Sequence, residues 1–122
     1  MAKCKEVMAI TKRVLVPGDT VYTAAQIMKN HNVSAIPVVA SRQSNELVGL
    51  IAERDVAVRV IGEALPSQTT VGEVMTATLA ACGPEDDIEK AIKLMDDLQM
   101  HHLPVVDENG NFLGIINKDV AA

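Results

Sequence analysis

The chain has 122 residues, 48% apolar and 22% charged, with 11 basic against 16 acidic side chains and a formal net charge of −5. That composition describes a soluble globular protein and argues against a partner bound through a nucleic-acid backbone. No apolar run approaches the roughly 18 residues of a spanning helix, and MAKCKEVMAITKR lacks the apolar core of a secretory signal, so the expected setting is cytoplasmic, without membrane. Trp is absent and Tyr22 and Phe112 are the only aromatics, which leaves little from which to build stacked-base surfaces.

In chain order, RVLVP has the length of a strand and stops at Pro17, which cannot continue a central ladder. Val21, Ala24, Ala25 and Met28 then fall at i, i+3, i+4 and i+7, the spacing of one helical face, with Thr20 or Asp19 as its cap. AIPVVA and ELVGLIA predict two short strands joined by ASRQSNE. In ERDVAVRVIGEA, Val56, Ala57, Val60, Ile61 and Ala64 form a helical stripe that Pro66 ends. After the linker SQTT, Thr70 caps a short helix through Val74 and Met75. TLAAC predicts another strand. A helix follows with Ile88, Ala91, Ile92 and Met95 on one face and Asp86 and Glu89 at capping-box spacing. HLPVVD and FLGII form a second strand pair, for which Asn109-Gly110 supplies the positive-φ residues of a tight turn. NKDVAA leaves room for about one final helical turn.

The second half repeats the first. With a shift of 67 residues, Glu6-Val7-Met8 falls on Glu73-Val74-Met75, Thr11 on Thr78, Pro17 on Pro84, Asp19 on Asp86, and Pro37-Val38-Val39 on Pro104-Val105-Val106. Eleven identities occur over the 34 positions from Glu6 to Val39, where chance gives roughly two or three. The shift drops to 65 at Gly49/Gly114, a length change of the kind a surface hairpin tolerates. The sequence therefore divides into repeats at 1–66 and 67–122, each β-α-β-β-α, in an α/β (α+β) fold. A unit of about 60 residues buries only about 60% of its unfolded surface, so each copy needs the other. Met8, Met28, Met75, Met95 and Met100 suit the irregular gaps of such a core.

These linked motifs, EVM opening each copy, NVSAIPVV and QMHHLPVVDENG before each hairpin, and GLIAERDVAVRV after the first, resemble a tandem pair of cystathionine-beta-synthase (CBS) domains, a Bateman module, over about 115 residues. The resemblance implies pseudo-two-fold packing of the copies through their sheets. It also implies a homodimer of modules and an adenosine-containing ligand (AMP, ADP, ATP or S-adenosylmethionine) in clefts between the copies. The family's ligand signature is Gly, two apolar residues, Ser or Thr, two variable residues, then Asp. The first copy reads Gly49-Leu50-Ile51-Ala52-Glu53-Arg54-Asp55, with Ala52 in place of the hydroxyl.

Carried onto this chain, the first candidate site is Asp55, Leu50, Ala52, Arg54, Thr78, Ala80, Met100 and His101. Asp55 suits two vicinal ribose hydroxyls because a carboxylate has two acceptor oxygens. It equally suits a helix's first turn. Leu50 would press on adenine, and Arg54 would meet phosphate or pair with Glu53 or Asp55. His101 either approaches phosphate or makes surface hydrogen bonds. The second, weaker candidate combines Thr11, Arg13, Val33 and Ser34 with Ile115, Asn117 and Asp119, where the Asp comes one residue early and is rotated by about 100° on a helix.

No GxSxG, HExxH or GxxxxGKS pattern occurs, Asp86-Asp87 reads as a helix start and Asp96-Asp97 as a solvated helical face, so the expectation is a non-enzymatic regulatory module whose signal passes to a partner protein or through dimer rearrangement. Neither a required cofactor nor a metal is expected, because Cys4 and Cys82 lie far apart in sequence and His101-His102 would point to opposite faces of a strand. The cysteines read as reduced thiols, with a regulatory disulfide as the other reading. The competing function is a ligand-independent interaction or redox-responsive dimerisation module.

Overall fold

A computed structural model describes residues 2–77 and 80–121. Its elements are α1 (Cys4–Val7), α2 (Val21–His31), β1 (Ala35–Ser41), β2 (Ser44–Ala52), α3 (Glu53–Asp55) running into a π-helical turn (Val56–Ile61), α4 (Val71–Val74), β3 (Thr76–Ala77), α5 (Ile88–Leu98), β4 (His102–Val106), β5 (Phe112–Asn117) and α6 (Lys118–Ala121).

Two compact units form, Arg13–Thr78 and Met1–Lys12 with Leu79–Ala122. The units do not follow the order of the repeats along the chain, because α1 folds with the second hairpin and α4 with the first. In the Arg13–Thr78 unit the sheet order is β1-β2-β3, all antiparallel. Leu15, Val21, Ala24, Ile36, Val38, Ile51, Val60, Val71 and Val74 form its buried core. In the other unit β4 pairs with β5, Ala9 bridges to Ile115, and Cys4, Cys82, Ala91, Met95, Leu103, Val105 and Ile116 are buried together.

Of the predicted leading strands, RVLVP shortens to a single parallel bridge, Leu15 to Val38, and in TLAAC, whose first two residues lie outside the described residues, Cys82 bridges in the same way to Val105. The Leu15 N–H donates to Pro37 and its carbonyl accepts from Val39, after which the Val16 N–H turns to the Asp19 carboxylate at 3.0 Å and the ladder stops. Gly83 does the same with Asp86 at 2.8 Å. Asp86 is thus committed to that turn and does not form a capping box with Glu89. The N-cap of α5 is Asp87, without a side-chain cap bond of its own. Thr20 does cap α2, accepting from the Thr23 N–H at 3.1 Å. At α4 the Thr70 side chain makes no cap bond; instead its N–H donates to Glu73 at 3.2 Å.

The stripe expected after β2 is only partly buried. Val60 is buried, yet Ala57 is exposed and Ile61 is 73% exposed. A π-helical turn has i→i+5 bonds, seen from Gly62 to Ala57 and from Leu65 to Val60, so side chains rotate away from the 3.6-residue pattern. In the second hairpin Gly110 alone takes positive φ, at 84°, while Asn109 does not. There the Asp107 carboxylate ties the turn by accepting from the N–H groups of Asn109 and Asn111, both at 2.9 Å.

Candidate functional site

Gly49 to Asp55 end β2 and open α3. A Cβ on Gly49 would lie 2.5 Å from Met75 Sδ and 3.0 Å from the Thr76 carbonyl oxygen, so only glycine lets β3 approach β2 here. Leu50, 7% exposed, lies in β2 opposite Thr76 and leaves only its edge for a ligand. Ala52 occupies the N-cap of α3 in extended conformation and has no side-chain acceptor. Asp55 compensates from the third helical position: its Oδ2 accepts the Ala52 N–H at 2.8 Å, half of a capping box.

The other carboxylate oxygen, Oδ1, accepts from the Thr76 hydroxyl at 3.3 Å and lies 3.7 Å from Arg59 Nε. The Asp55 side chain is 12% exposed. It is therefore a positioned carboxylate, oriented by a backbone N–H, a hydroxyl and a cation. Each carboxylate oxygen has about two lone-pair sites; one on Oδ2 is taken by the Ala52 N–H and one on Oδ1 by the Thr76 hydroxyl. Arg54 is exposed and, among the described residues, forms an ion pair with neither Glu53 nor Asp55.

Arg59 and Thr76 escaped the reading of the sequence. Arg59 had a signal, since a cation four residues after an acid shares its helix face. Thr76 had none: it reaches Asp55 only because β3 pairs with β2.

The matching junction in the second unit is built differently. The Asn117 amide oxygen accepts the Asp119 N–H at 2.9 Å, capping α6 over two residues, and Asp119 is exposed. The Lys118 N–H donates to the His101 carbonyl at 2.9 Å, as the Glu53 N–H donates to the Ser34 carbonyl at 3.0 Å in the first.

The candidate residues among the described ones divide between the two units. Val33, Ser34, Leu50, Ala52, Arg54 and Asp55 share a unit with Arg13. Thr11, Ala80, Met100, His101, Ile115, Asn117 and Asp119 share the other, where Ala80 and Met100 are partly buried against the core and His101 is exposed. Thr78 lies outside the described residues. Among the described residues no three His, Cys, Asp or Glu side chains gather as a metal site, and no helix is long and apolar enough to cross a membrane.

Residues 4–62 and 71–119 each match the CBS domain family. The chain belongs to this family. It is 38% identical over 116 residues to the CBS domain-containing protein YhcV of Bacillus subtilis, covering 95% of this chain and 80% of YhcV. With the mitochondrial CBS domain-containing protein CBSX3 of Arabidopsis thaliana it shares 36% identity over 102 residues, covering 81% of this chain and 49% of CBSX3. The chain thus spans most of one curated relative and about half of the other. Two solved structures share the fold. One is CBSX2 in complex with AMP, at a TM-score of 0.84 and 22% identity, covering 99% of this chain and 93% of that one. The other is the CBS domain pair of MJ0100 in complex with 5'-methylthioadenosine and S-adenosyl-L-methionine, at 0.83 and 21%, covering 98% and 91%.

Proposed function

We propose that this CBS pair is a non-enzymatic regulatory module that binds an adenosine-containing ligand, of the class AMP, ADP, ATP or S-adenosylmethionine, with Asp55 accepting the ribose hydroxyls. The observation that carries the reading is the Asp55 carboxylate, fixed by Ala52, Thr76 and Arg59 and still 12% exposed. Adenosyl ligands on the same fold in CBSX2 and MJ0100 support the ligand class. Leu50 offers an apolar edge and Arg54 an exposed guanidinium for phosphate, while Ala52 forgoes one hydroxyl bond to it, worth about 1.5–3 kcal/mol to a charged group. The ligand is a regulatory one; the module acts on a protein partner by binding its two states unequally. It works as a cytoplasmic homodimer in this reading, for which exposed Tyr22 and Ile61 offer apolar surface.

Asp55→Asn is the discriminating variant. Its amide oxygen can still take the Ala52 N–H, but its amide nitrogen cannot accept from a ribose hydroxyl. In a thermal-shift and calorimetric panel of AMP, ADP, ATP and S-adenosylmethionine, at least one ligand should raise the midpoint by several degrees. Saturation at 100 times Kd adds about 2.7 kcal/mol. Asp55→Asn should weaken that ligand at least tenfold with the unliganded midpoint nearly unchanged. Silence across the panel, or unchanged affinity in Asp55→Asn, sinks the proposal.

A further inference from the structure

Cys4 and Cys82 stand 78 positions apart in sequence, yet their sulfurs are 3.3 Å apart inside one unit. Cys4 is fully buried and Cys82 is 5% exposed. The approach is fixed from both sides. The Cys4 N–H donates to the Asp86 carbonyl at 2.8 Å and the Lys5 N–H to the Pro84 carbonyl at 3.0 Å, so α1 is stitched to the segment just after Cys82. Cys82 is held against β4 by its N–H to Pro104 at 3.0 Å and by Val106 donating back to its carbonyl at 2.9 Å. A disulfide has sulfurs about 2.05 Å apart, so closure asks for a movement of little more than 1 Å in two side chains.

The repeat shows that this pair is not required by the packing. The positions equivalent to Cys4 and Cys82 under the 67-residue shift are Val71 and Leu15, both buried in the other unit's core. An apolar pair meets the structural need there; a dithiol occupies the place here.

We propose that Cys4 and Cys82 form a reversible intramolecular disulfide, a covalent latch that fastens the N-terminal segment to its unit when the protein meets a hydroperoxide. The Cys82 S–H donates to the Cys4 sulfur, which favours ionisation of Cys4 over Cys82 and makes Cys4 the attacking sulfur. Burial raises the pKa of both thiols, and the hydrogen bond from Cys82 offsets part of that rise at Cys4. Cys4 also sits on a helix of only four residues, whose local opening admits a small neutral oxidant. In the first step the Cys4 sulfur attacks one oxygen of hydrogen peroxide and the O–O bond breaks. A sulfenic acid forms, and the departing hydroxide leaves as water with the thiol proton. In the second step the Cys82 sulfur attacks the Cys4 sulfur, the S–S bond forms, and the S–O bond breaks. Water leaves with the Cys82 proton. Two thiols and one peroxide thus give one disulfide and two waters, and a dithiol reductant restores the pair.

The latch acts on β5. Ala9, five residues after Cys4, exchanges backbone hydrogen bonds with Ile115 at 2.8 and 3.0 Å, and Met8 lies over Gly114. Fastening Cys4 holds that bridge closed.

The test treats the full chain with hydrogen peroxide or with dithiothreitol. The peroxide-treated protein should lose both titratable thiols and two hydrogen atoms by intact mass, and stay free of disulfide-linked dimer. Peptide mapping should give a Cys4–Cys82 cross-link. Its thermal midpoint should rise by several degrees, amide exchange at Ala9 and Ile115 should slow, and dithiothreitol should reverse both. Cys4→Ser and Cys82→Ser should show neither response; if one fails to fold, the wild-type peptide map and exchange data decide. Thiols that survive peroxide, sulfinic or sulfonic acid in place of the cross-link, or a linked dimer would overturn the proposal. So would a cross-link that leaves both the midpoint and the exchange unchanged.

Discussion

In the Arg13–Thr78 unit the Val71 N–H donates to the Asp19 carbonyl at 2.7 Å; in the other unit Cys4 donates to Asp86 at 2.8 Å, the same pair displaced by 67 positions. The correspondence continues through the frameworks. Met75 covers Gly49 as Met8 covers Gly114, and Asn32 and Gln99 end α2 and α5 in the left-handed region at φ 52° and 54°. What differs is the filling. Val71 and Leu15 occupy in one unit the positions that Cys4 and Cys82 occupy in the other, and a buried-edge carboxylate at Asp55 has Asn117 as its counterpart in capping. The backbone bonds follow from chain geometry, so both copies keep them; side chains in the same places have diverged.

Large-to-small changes probe this difference most strongly. Leu15→Ala should cost about 2–5 kcal/mol, because a fully buried branched side chain is lost. Cys82→Ala, at the equivalent position, removes one sulfur and should cost about 1 kcal/mol under reducing conditions. Urea denaturation measures both; equal losses would mean that the two cores are not filled differently.

The glycines test the shared framework at a smaller scale. A Cβ at Gly49 meets the Thr76 carbonyl oxygen at 3.0 Å and one at Gly114 meets the Ala9 carbonyl oxygen at 2.9 Å. Gly49→Ala and Gly114→Ala should therefore cost similar amounts, about 1–3 kcal/mol each. The equivalence of the units fails if one substitution is harmless and the other is not.

Much of this architecture was legible in the sequence because it is periodic. Ala24 and Ala91 are both fully buried, as the helical spacing required, and the strands after them pair as hairpins. The leading strands were less legible, since nothing local announces that Asp19 and Asp86 divert the next N–H into a turn. Ile61 broke the helical pattern because a π turn changes the period without a residue that marks it. At the candidate site, the place of Asp55 in a helix's first turn was legible in the sequence, but its support by Thr76 depends on strand pairing across 21 residues. The nearness of Cys4 to Cys82 is tertiary in the same sense, which is why a distance in sequence said so little about a distance in space.

The hairpin turns give the smallest and most local contrast. In the first, a neutral group, the Ser44 hydroxyl, accepts the Glu46 N–H at 3.1 Å. In the second, the Asp107 carboxylate accepts from Asn111 and Asn109, which holds its pKa below the usual carboxylate range. A carboxyl whose folded pKa is depressed stabilises above its unfolded value, about pH 4, and that contribution disappears as pH falls through the lower folded value. Acid should therefore loosen the second turn while leaving the first unaffected by this cause. Asp107→Asn keeps an acceptor oxygen but cannot titrate, so its stability should fall less steeply than the wild type's below about pH 4. Amide shifts of Asn109 and Asn111 followed by NMR should lose their acid transition in the variant, whereas that of Glu46 should be the same in both proteins. If Asp107→Asn tracks the wild type through the acid range, the carboxylate is not what distinguishes the two turns.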